Sequence, residues 1–446
     1  MDTGAAREKR LSKRRRNWAL ALSFVLILIS LPLFQFALSI KKDEDNPYTR
    51  IGYDKIVRLA LVASSKNRAT FSRAIATMWT AGFELDRKRL QRAEMLYLSA
   101  LDQLKQYPGL DNALAQNCCF RLGKVLEDES KYGEAETQYK QAIECAKRTF
   151  GEEHQKVADG MRSLAFCLAR EQRYDEAKEL YQKALAQDKK GLGEDDLDVA
   201  YDMSCIGEMC YRTNLYDEAV QWFRKSLIVW EKQRGANHPS FAWVSENLAR
   251  SLYMAGRFAE AADVFSKLAE SSQLNFGGGH KDHLRLLAWL GWSCVSAGKR
   301  DEAIKVVARL QKALESKDYP DRVKMTATFE SAGDLALLLN EFAIAESIYT
   351  SLLEGQQREY GMRDARLCKT LTAICECRAR LGKKLEGQDY YERARSLCEL
   401  KGNEAFMLKL NALQLGHTSS GATNLSGQAA SSSGVAASQQ STDAPR

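Results

Sequence analysis

The sequence has little proline, with six in 446 residues. Proline breaks the interior of an α-helix because it lacks the amide hydrogen and clashes with the preceding turn, so its scarcity leaves long helices uninterrupted. Hydrophobic residues make up 45% of the chain and charged residues 28%, which is enough for a large helical array. A β-rich fold is disfavoured.

Motifs of the common catalytic and nucleotide-binding sites are missing as well. There is no Gly-x-Ser-x-Gly elbow, no His-Glu-x-x-His zinc motif and no dinucleotide fingerprint after a strand. The glycine run Gly277-Gly278-Gly279 lacks the Gly-Lys-Ser/Thr ending of a phosphate-binding loop. We therefore expect no enzyme activity, no cofactor and no small-molecule substrate.

Metal-binding patterns are weak. No Cys-x-x-Cys pair occurs among the eleven cysteines, which scatter over helical repeats and are expected to be buried free thiols. So many free thiols fit poorly with an oxidising compartment. His280 and His283, with Asp282 between them, could together bind a metal ion, but a structural role in a loop is the favoured interpretation.

Basic charge is scarce outside the N-terminus. The formal net charge is +7, and residues 1–16 account for +5 of it, with seven basic side chains against Asp2 and Glu8. Only +2 remains for the rest of the chain. A nucleic-acid partner requires a basic face on the folded part, so none is expected.

One long uncharged segment follows the basic residues. Residues 17–40 are rich in Leu, Ile, Phe and Ala, and at about 1.5 Å per residue they reach about 36 Å, more than the bilayer core of about 30 Å. Pro32 is tolerated in a membrane helix. A buried core helix is disfavoured by the flanking arginines. The sequence therefore predicts a membrane anchor.

The charges on either side of this segment predict its orientation. The basic cluster before it outweighs Lys41 and Lys42 after it, which keeps the N-terminus in the cytoplasm and places the rest of the chain across the membrane. A cleaved signal peptide is the alternative, since Ala37-Leu38-Ser39 resembles a cleavage site and the protein would then be secreted. The long apolar run favours the uncleaved anchor.

What the chain has in abundance is repetition. A small residue returns every 42 residues, with a bulky residue four positions later and a glycine in most of the following loops. The small residues are Ala93, Ala135, Ala177, Ala219, Ala261, Ala303, Ala345 and Gly387. Because small and large residues at i and i+4 share one helix face, Tyr139, Tyr181, Phe223 and Phe265 are predicted to be core residues. Such helix pairs must stack to bury this face.

This pattern resembles the tetratricopeptide repeat. The usual repeat is about 34 residues, and the longer period, with Gly-x-x-His at Gly151, Gly235 and Gly277, is similar to the repeats of kinesin light chains. The resemblance implies an all-α fold, a right-handed α-solenoid of about eight helix-turn-helix repeats, preceded here by the transmembrane helix. The predicted segments are 1–16 (basic, cytoplasmic), 17–40 (membrane), 41–73 (linker and capping helix), 74–409 (eight repeats), 410–416 (end of a C-terminal capping helix) and 417–446 (disordered tail).

The resemblance also implies a binding groove, because the first helices of such repeats line a concave face. Counted onto this chain, the predicted lining comprises Arg162, Phe166, Arg170, Tyr201, Glu208, Tyr211, Arg212, Trp243, Glu246, Arg250, Tyr253, Arg285 and Trp292. Aromatic residues and arginine are enriched at binding hot spots, although a plain solvated face remains an alternative for each residue. The arginines favour a partner with apolar anchors and acidic side chains.

Two functions follow from this sequence. The first is a membrane-anchored scaffold that binds a protein or peptide in the groove. The second is an architectural accessory subunit of a membrane complex, in which the opposite face packs permanently and the groove has no role. No repeat has asparagine at its ninth position, so the clamp by which chaperone-binding relatives hold a C-terminal carboxylate is not expected.

Overall fold

The computed structural model describes residues 65–105, 111–314, 325–383, 389–401 and 403–414. The predicted basic segment, membrane helix and C-terminal tail lie outside these ranges, as does most of the predicted linker. Within them there are 17 α-helices, one 3-10 helix and no strand, which confirms the all-α prediction. No helix in these ranges is both long and apolar enough to cross a membrane.

The described residues form two compact units, the first ending at Asn214 and the second beginning at Leu215. In each unit, helices pack mainly against the helix before and the helix after them in sequence. The first unit contains α1 (Ser65–Asp86), α2 (Leu90–Lys105), α3 (Asp111–Asp128), α4 (Tyr132–Phe150), α5 (Gln155–Arg170), α6 (Tyr174–Gly191) and α7 (Leu197–Arg212).

The second unit contains ten α-helices and the 3-10 helix Ala365–Leu367. The α-helices are α8 (Tyr216–Arg234), α9 (Pro239–Met254), α10 (Phe258–Phe276), α11 (Lys281–Ser296), α12 (Arg300–Leu314), α13 (Thr326–Leu338), α14 (Phe342–Tyr360), α15 (Cys368–Arg380), α16 (Asp389–Lys401) and α17 (Glu404–Gln414). Up to α16, odd numbers are the first helices of the predicted repeats and even numbers the second.

The repeated residues form the core of these helix pairs. All seven alanines of the 42-residue series are fully buried, and Tyr139, Tyr181, Phe223 and Phe265 are at most 2% exposed, as predicted. Small residues on the first helices allow close contact, since a Cβ added to Gly123 would lie only 2.8 Å from the Tyr139 ring. Close packing explains why this position holds only glycine, alanine or cysteine in the eight repeats.

The histidines that recur in the repeats cap the starts of first helices. The side chains of His154, His238 and His280 each accept a hydrogen bond from the backbone N–H two residues later, capping α5, α9 and α11. Asp196, at the same repeat position, caps α7 in the same way, with 2.8 Å between its carboxylate oxygen and the Asp198 nitrogen. Satisfying an otherwise unpaired amide stabilises a helix start. The predicted loop-structural role of these histidines is confirmed.

His283 has a different role from His280. Its Nδ1 lies 2.9 Å from the carbonyl oxygen of Ala269, and the side chain is buried between α10 and α11. Burial lowers the pKa of His283 below its usual value. The histidine pair is thus divided between a helix cap and a core contact, which accounts for both residues without a metal ion.

The cysteine prediction was wrong for one pair. Cys368 of α15 and Cys398 of α16 form a disulfide with their Cα atoms 5.8 Å apart, a separation typical of such bonds. The bond forms because the first and thirty-first positions of a repeat come together where its two helices pack. The other nine cysteines are free thiols, and all but Cys145 are buried, as predicted.

Candidate functional site

The thirteen predicted lining residues all lie on first helices, seven in the first unit and six in the second. Arg170 is exposed, and eleven others are partly buried. Tyr253 is the exception, being only 7% exposed. The prediction that its ring is accessible on the lining was wrong, because the ring packs edge-on against Trp289 and Phe258, with centroids 5.6 and 5.2 Å away.

In the first unit, two of the predicted arginines have local partners. Arg212 donates to Glu208 one turn earlier on α7, with 3.2 Å between Nη2 and Oε1. Arg170 on α5 donates from Nε to the hydroxyl of Tyr132 at 3.1 Å and stands over the Tyr132 ring. These contacts tie the ends of α5 and α7 to charged and aromatic neighbours without burying the guanidinium of Arg170.

Arg162 is placed very differently from the expected lining arginine. Its guanidinium is only 12% exposed and contacts four aspartates. One nitrogen, Nη2, pairs with Asp159 and lies 3.7 Å from Asp198, and the other, Nη1, pairs with Asp188 and lies 3.7 Å from Asp202. We call these five residues the Arg162 cluster. Its carboxylates outnumber its cation, so the guanidinium of Arg162 is already held by acidic groups of its own chain.

The inner half of the Arg162 cluster is deeply buried. The side chain of Asp188 is 2% exposed and that of Asp202 is fully buried. Removal from water disfavours the charged form of a carboxyl group; it raises the pKa of Asp188 to about 6 and that of Asp202 well above its usual range, against the opposing effect of Arg162. Neither carboxylate oxygen of Asp202 has a hydrogen-bond partner.

In the second unit, the predicted charges pair with each other. Arg285 of α11 makes a two-pronged ion pair with Glu246 of α9, with 2.9 Å between Nη2 and Oε2, and Asp282 lies 3.6 Å from the same nitrogen. The Arg285 side chain is 34% exposed and that of Glu246 is 18% exposed. A planar guanidinium facing a carboxylate fixes geometry as well as charge, so this pair holds α9 and α11 in register.

Aromatic side chains lie on the same two helices as this ion pair. Trp292 donates its indole N–H to the Ser331 hydroxyl at 2.8 Å and remains partly exposed, as does Trp243. The guanidinium of Arg250 stands over the Trp289 ring, 5.8 Å from its centroid. Trp289, which the sequence analysis overlooked, is buried and stacks on Phe265. It connects the predicted lining to the core.

The aspartates of the Arg162 cluster were not among the residues predicted from the sequence. A signal was present: Asp202 stands at a repeat position that holds Cys118, Gly160 and Val244 in neighbouring repeats. An aspartate in a series of small and apolar residues breaks the core pattern. Such departures from local rules are expected at functional or strained sites.

The site can therefore pair charges and bury apolar groups, with different chemistry in each unit. In the described ranges, no three His, Cys, Asp or Glu side chains are grouped so as to hold a metal ion. The second unit offers partly exposed rings next to a fixed ion pair, and the first offers an excess of carboxylates. Both suit recognition of side chains from another protein.

Comparison with known protein families supports this fold. A tetratricopeptide repeat model matches residues 113–190, 156–223 and 198–273, and a second tetratricopeptide repeat model matches residues 246–318. No curated protein matches the sequence.

Solved structures with the same kind of fold are only distantly related. One is a signal transduction ATPase with numerous domains and a tetratricopeptide repeat sensor from Pyrococcus horikoshii, 14% identical, with 65% of this chain and 43% of that chain covered and a TM-score of 0.51. The kinesin light chain TPR-like repeats of Podosopora anserina are 18% identical, covering 46% and 97%, with a TM-score of 0.42. A Rap protein complexed with Competence and Sporulation Factor is 14% identical, covering 74% and 87%, with a TM-score of 0.41.

At these identities the structural likeness concerns the fold alone. The family models match residues 113–318, where the chain has the 42-residue period and the paired helices described above.

Proposed function

We propose that this protein is a membrane-anchored scaffold that binds a protein or peptide partner along the first helices of its repeats. The supporting observation is that Tyr211, Trp243 and Trp292 stay partly exposed while the aromatic residues of the repeated core are buried to 2% exposure or less. Large rings held at a surface by rigid helices are typical hot-spot residues. Each unit thus presents partly exposed rings on its first helices that are suited to binding.

In the second unit, an ion pair adds polar specificity to the exposed rings. Glu246 and Arg285 are fixed by each other, so they present a carboxylate and a guanidinium with little remaining freedom. Preorganised groups lose less entropy when a partner binds. A partner with apolar side chains for the tryptophan rings and a polar group for the ion pair would fit these residues.

The test uses the full chain and a partner recovered with it by affinity purification. We expect the variant Trp243→Ala/Arg250→Ala to weaken partner binding in calorimetry by about 2 kcal/mol or more, as for typical hot-spot residues. Arg250 also packs on Trp289, so Trp243→Ala alone separates recognition from stability. Circular dichroism should show unchanged helical content.

The matched control is Trp222→Ala. Trp222 is also partly exposed in the second unit, but it lies on α8, a second helix, with the Lys225 ammonium 4.8 Å from its ring centroid. This variant should bind the partner like the wild type. Equal losses for Trp222→Ala and Trp243→Ala, or no loss for either, would contradict the proposal.

An architectural role is the second candidate, and exposed apolar residues on second helices favour it. Met95 on α2 is 71% exposed, Ile228 on α8 is 68% exposed and Leu274 on α10 is 87% exposed. Large exposed apolar side chains can mark a permanent interface when they are contiguous. Under this alternative, Ile228→Ser/Leu274→Ser removes the chain from its complex while Trp243→Ala leaves it in place.

The membrane topology is part of the same proposal. Seven basic residues precede the uncharged segment 17–40, which favours a cytoplasmic N-terminus and repeats on the opposite side. The Cys368–Cys398 disulfide agrees with an oxidising compartment, whereas the nine free thiols weigh against it. In sealed vesicles with the cytoplasmic side outward, the repeats should resist added protease until detergent is present, and their digestion beforehand would contradict this topology.

A further inference from the structure

The Arg162 cluster has more carboxyl groups than cations. Four aspartates surround one guanidinium. Gln155 donates its amide to Asp198 at 3.2 Å, which adds a hydrogen bond but no charge. The Lys156 ammonium lies over the Phe150 ring, 5.1 Å from the centroid, and is close enough to oppose the rise that burial causes in the pKa of Asp159. Because burial raises the pKa of Asp202 well above its usual range, the charge that favours a further cation belongs mainly to the other three carboxyl groups.

Access to the cluster is through its outer pair of carboxylates. The side chains of Asp159 and Asp198 are 39% and 43% exposed, and both face the same nitrogen of Arg162. A group arriving from solvent meets these two first. The outer pair is therefore the entrance, and Asp188 and Asp202 lie behind it on the other nitrogen.

Asp202 supplies a second observation, about hydrogen bonding rather than charge. Its side chain is fully buried, it points to Arg162 at 3.7 Å, and both of its oxygens lack a hydrogen-bond donor. A buried carboxyl group without hydrogen-bond partners is costly. If Arg162 were released from the outer pair, its guanidinium could supply the missing donors, and the outer carboxylates would then need another cation.

We propose that the Arg162 cluster is a binding site for a cationic side chain, an ammonium or a guanidinium, carried by the partner protein. The cation pairs with Asp159 and Asp198, and Arg162 turns inward to Asp188 and Asp202. This inference rests on the scaffold function proposed above and gives the first unit a ligand of its own. An organic cation is favoured over a metal ion because no three acidic side chains in the described ranges have metal-site geometry.

The test is a titration of the full chain with three peptides of one sequence, an alanine-rich nonapeptide whose central residue is arginine, lysine or citrulline. Citrulline keeps the shape of arginine but carries no charge. We expect at least one charged peptide to bind about tenfold more tightly than the citrulline peptide, as for a charge-assisted pair. Whether arginine or lysine binds better identifies the cation.

Single substitutions test which aspartates produce the preference for a charged peptide. Asp198→Asn, at a partly exposed position, should fold normally and abolish the preference for charge. Asp202→Asn should reduce this preference without removing it, because the inner carboxylates act through Arg162. The control Asp175→Asn changes an exposed aspartate at the start of α6, in the same unit, and should behave as the wild type.

Equal affinity for all three peptides, or a charge preference that survives Asp198→Asn, would overturn the inference. These outcomes are distinct from a failure of the scaffold function. If partner binding depends on Trp243 and yet Asp198→Asn changes neither partner nor peptide affinity, the scaffold function stands and the cation site is refuted. If charge preference depends on Asp198 while Trp243→Ala has no effect, the lining of the second unit is refuted instead.

Discussion

Asp202 in the first unit and Thr370 in the second stand at equivalent repeat positions, four repeats apart. Each faces position 31 of the preceding repeat, which is Asp188 in one case and Gln356 in the other. Thr370 donates its hydroxyl hydrogen to the Gln356 side-chain oxygen at 2.8 Å, and both are buried. The second unit thus fills the position with a neutral, satisfied pair.

In the first unit the two equivalent positions hold carboxyl groups, those of Asp188 and Asp202. Arg162 contacts both of them. Buried ion pairs rarely stabilise a fold more than neutral replacements would, and Thr370 with Gln356 shows that the repeat accepts a neutral pair here. The comparison shows that the repeat does not require charged groups at these positions. A binding role supplies a reason for the extra charge.

The largest expected effect is the loss of stability when an arginine is replaced, which should differ between the two units. Arg162→Met would leave four carboxylates without their shared cation, and breaking such a buried pair costs about 3 to 5 kcal/mol. The matched change, Arg285→Met, removes a guanidinium that is 34% exposed rather than 12% exposed, so its cost should be smaller. Denaturant unfolding of both variants measures the difference; a greater loss for Arg285→Met would reverse the comparison.

The shared core should respond equally in both units. Ala177 and Ala219 are both fully buried at the same repeat position. Replacing either with leucine overpacks a close helix contact, at a cost of about 1 to 3 kcal/mol. Ala259→Leu, at an exposed position of α10, is the control. An unchanged melting temperature for Ala219→Leu would show that the assigned repeat register is wrong.

The neutral pair of Thr370 and Gln356 gives a test with a smaller expected effect. Thr370→Val keeps the shape of the side chain but removes the hydroxyl, leaving the buried Gln356 oxygen without its donor. The expected loss is about 1 to 3 kcal/mol, the cost of an unsatisfied buried group. Adding Gln356→Leu should recover part of it in a double-mutant cycle. If Thr370→Val is neutral, the hydrogen bond does not explain why this position is polar.

The smallest expected effect is a pH dependence confined to the first unit. Burial raises the pKa of Asp188 to about 6, above its unfolded value of about 4. Between these values the folded state binds a proton that the unfolded state has released, so the contribution to stability is present at lower pH and falls as the pH rises toward neutrality. Asp202 shifts in the same direction.

Asp188→Asn/Asp202→Asn removes both titrating groups, while Asp159, Arg162 and Asp198 remain facing the site. The wild type should gain stability relative to this variant as the pH falls from 7 to 5, measured by amide hydrogen exchange in α5 to α7. The difference between the wild type and Thr370→Val should not change over the same range. A pH-independent difference for the aspartate variant would contradict the raised pKa values.

Periodicity made most of the fold predictable from sequence. The 42-residue series located buried residues such as Ala219 and Tyr181, because one repeat position meets the same environment in each helix pair. The histidine caps followed from the same regularity. What occurs once could not be found this way: the Cys368–Cys398 disulfide depends on two cysteines in a single repeat.

The candidate site was less predictable because counting positions does not show what a side chain contacts. Arg162 and Tyr253 were placed on the lining by their repeat positions, yet neighbouring aspartates hold one and the rings of Phe258 and Trp289 bury the other. Trp243 and Trp292 do remain partly exposed. Long side chains with several reachable partners are the ones that the pattern alone cannot assign.

The central claim, that a partner binds along the first helices, is tested most directly by site-specific photo-crosslinking. Benzoyl-phenylalanine is placed at position 243 on α9 or at position 222 on α8 of the full chain, and each protein is irradiated with the partner recovered by purification. The proposed scaffold predicts a crosslink from position 243 and none from position 222. A crosslink from position 222 alone would contradict it and place the interface on the second helices.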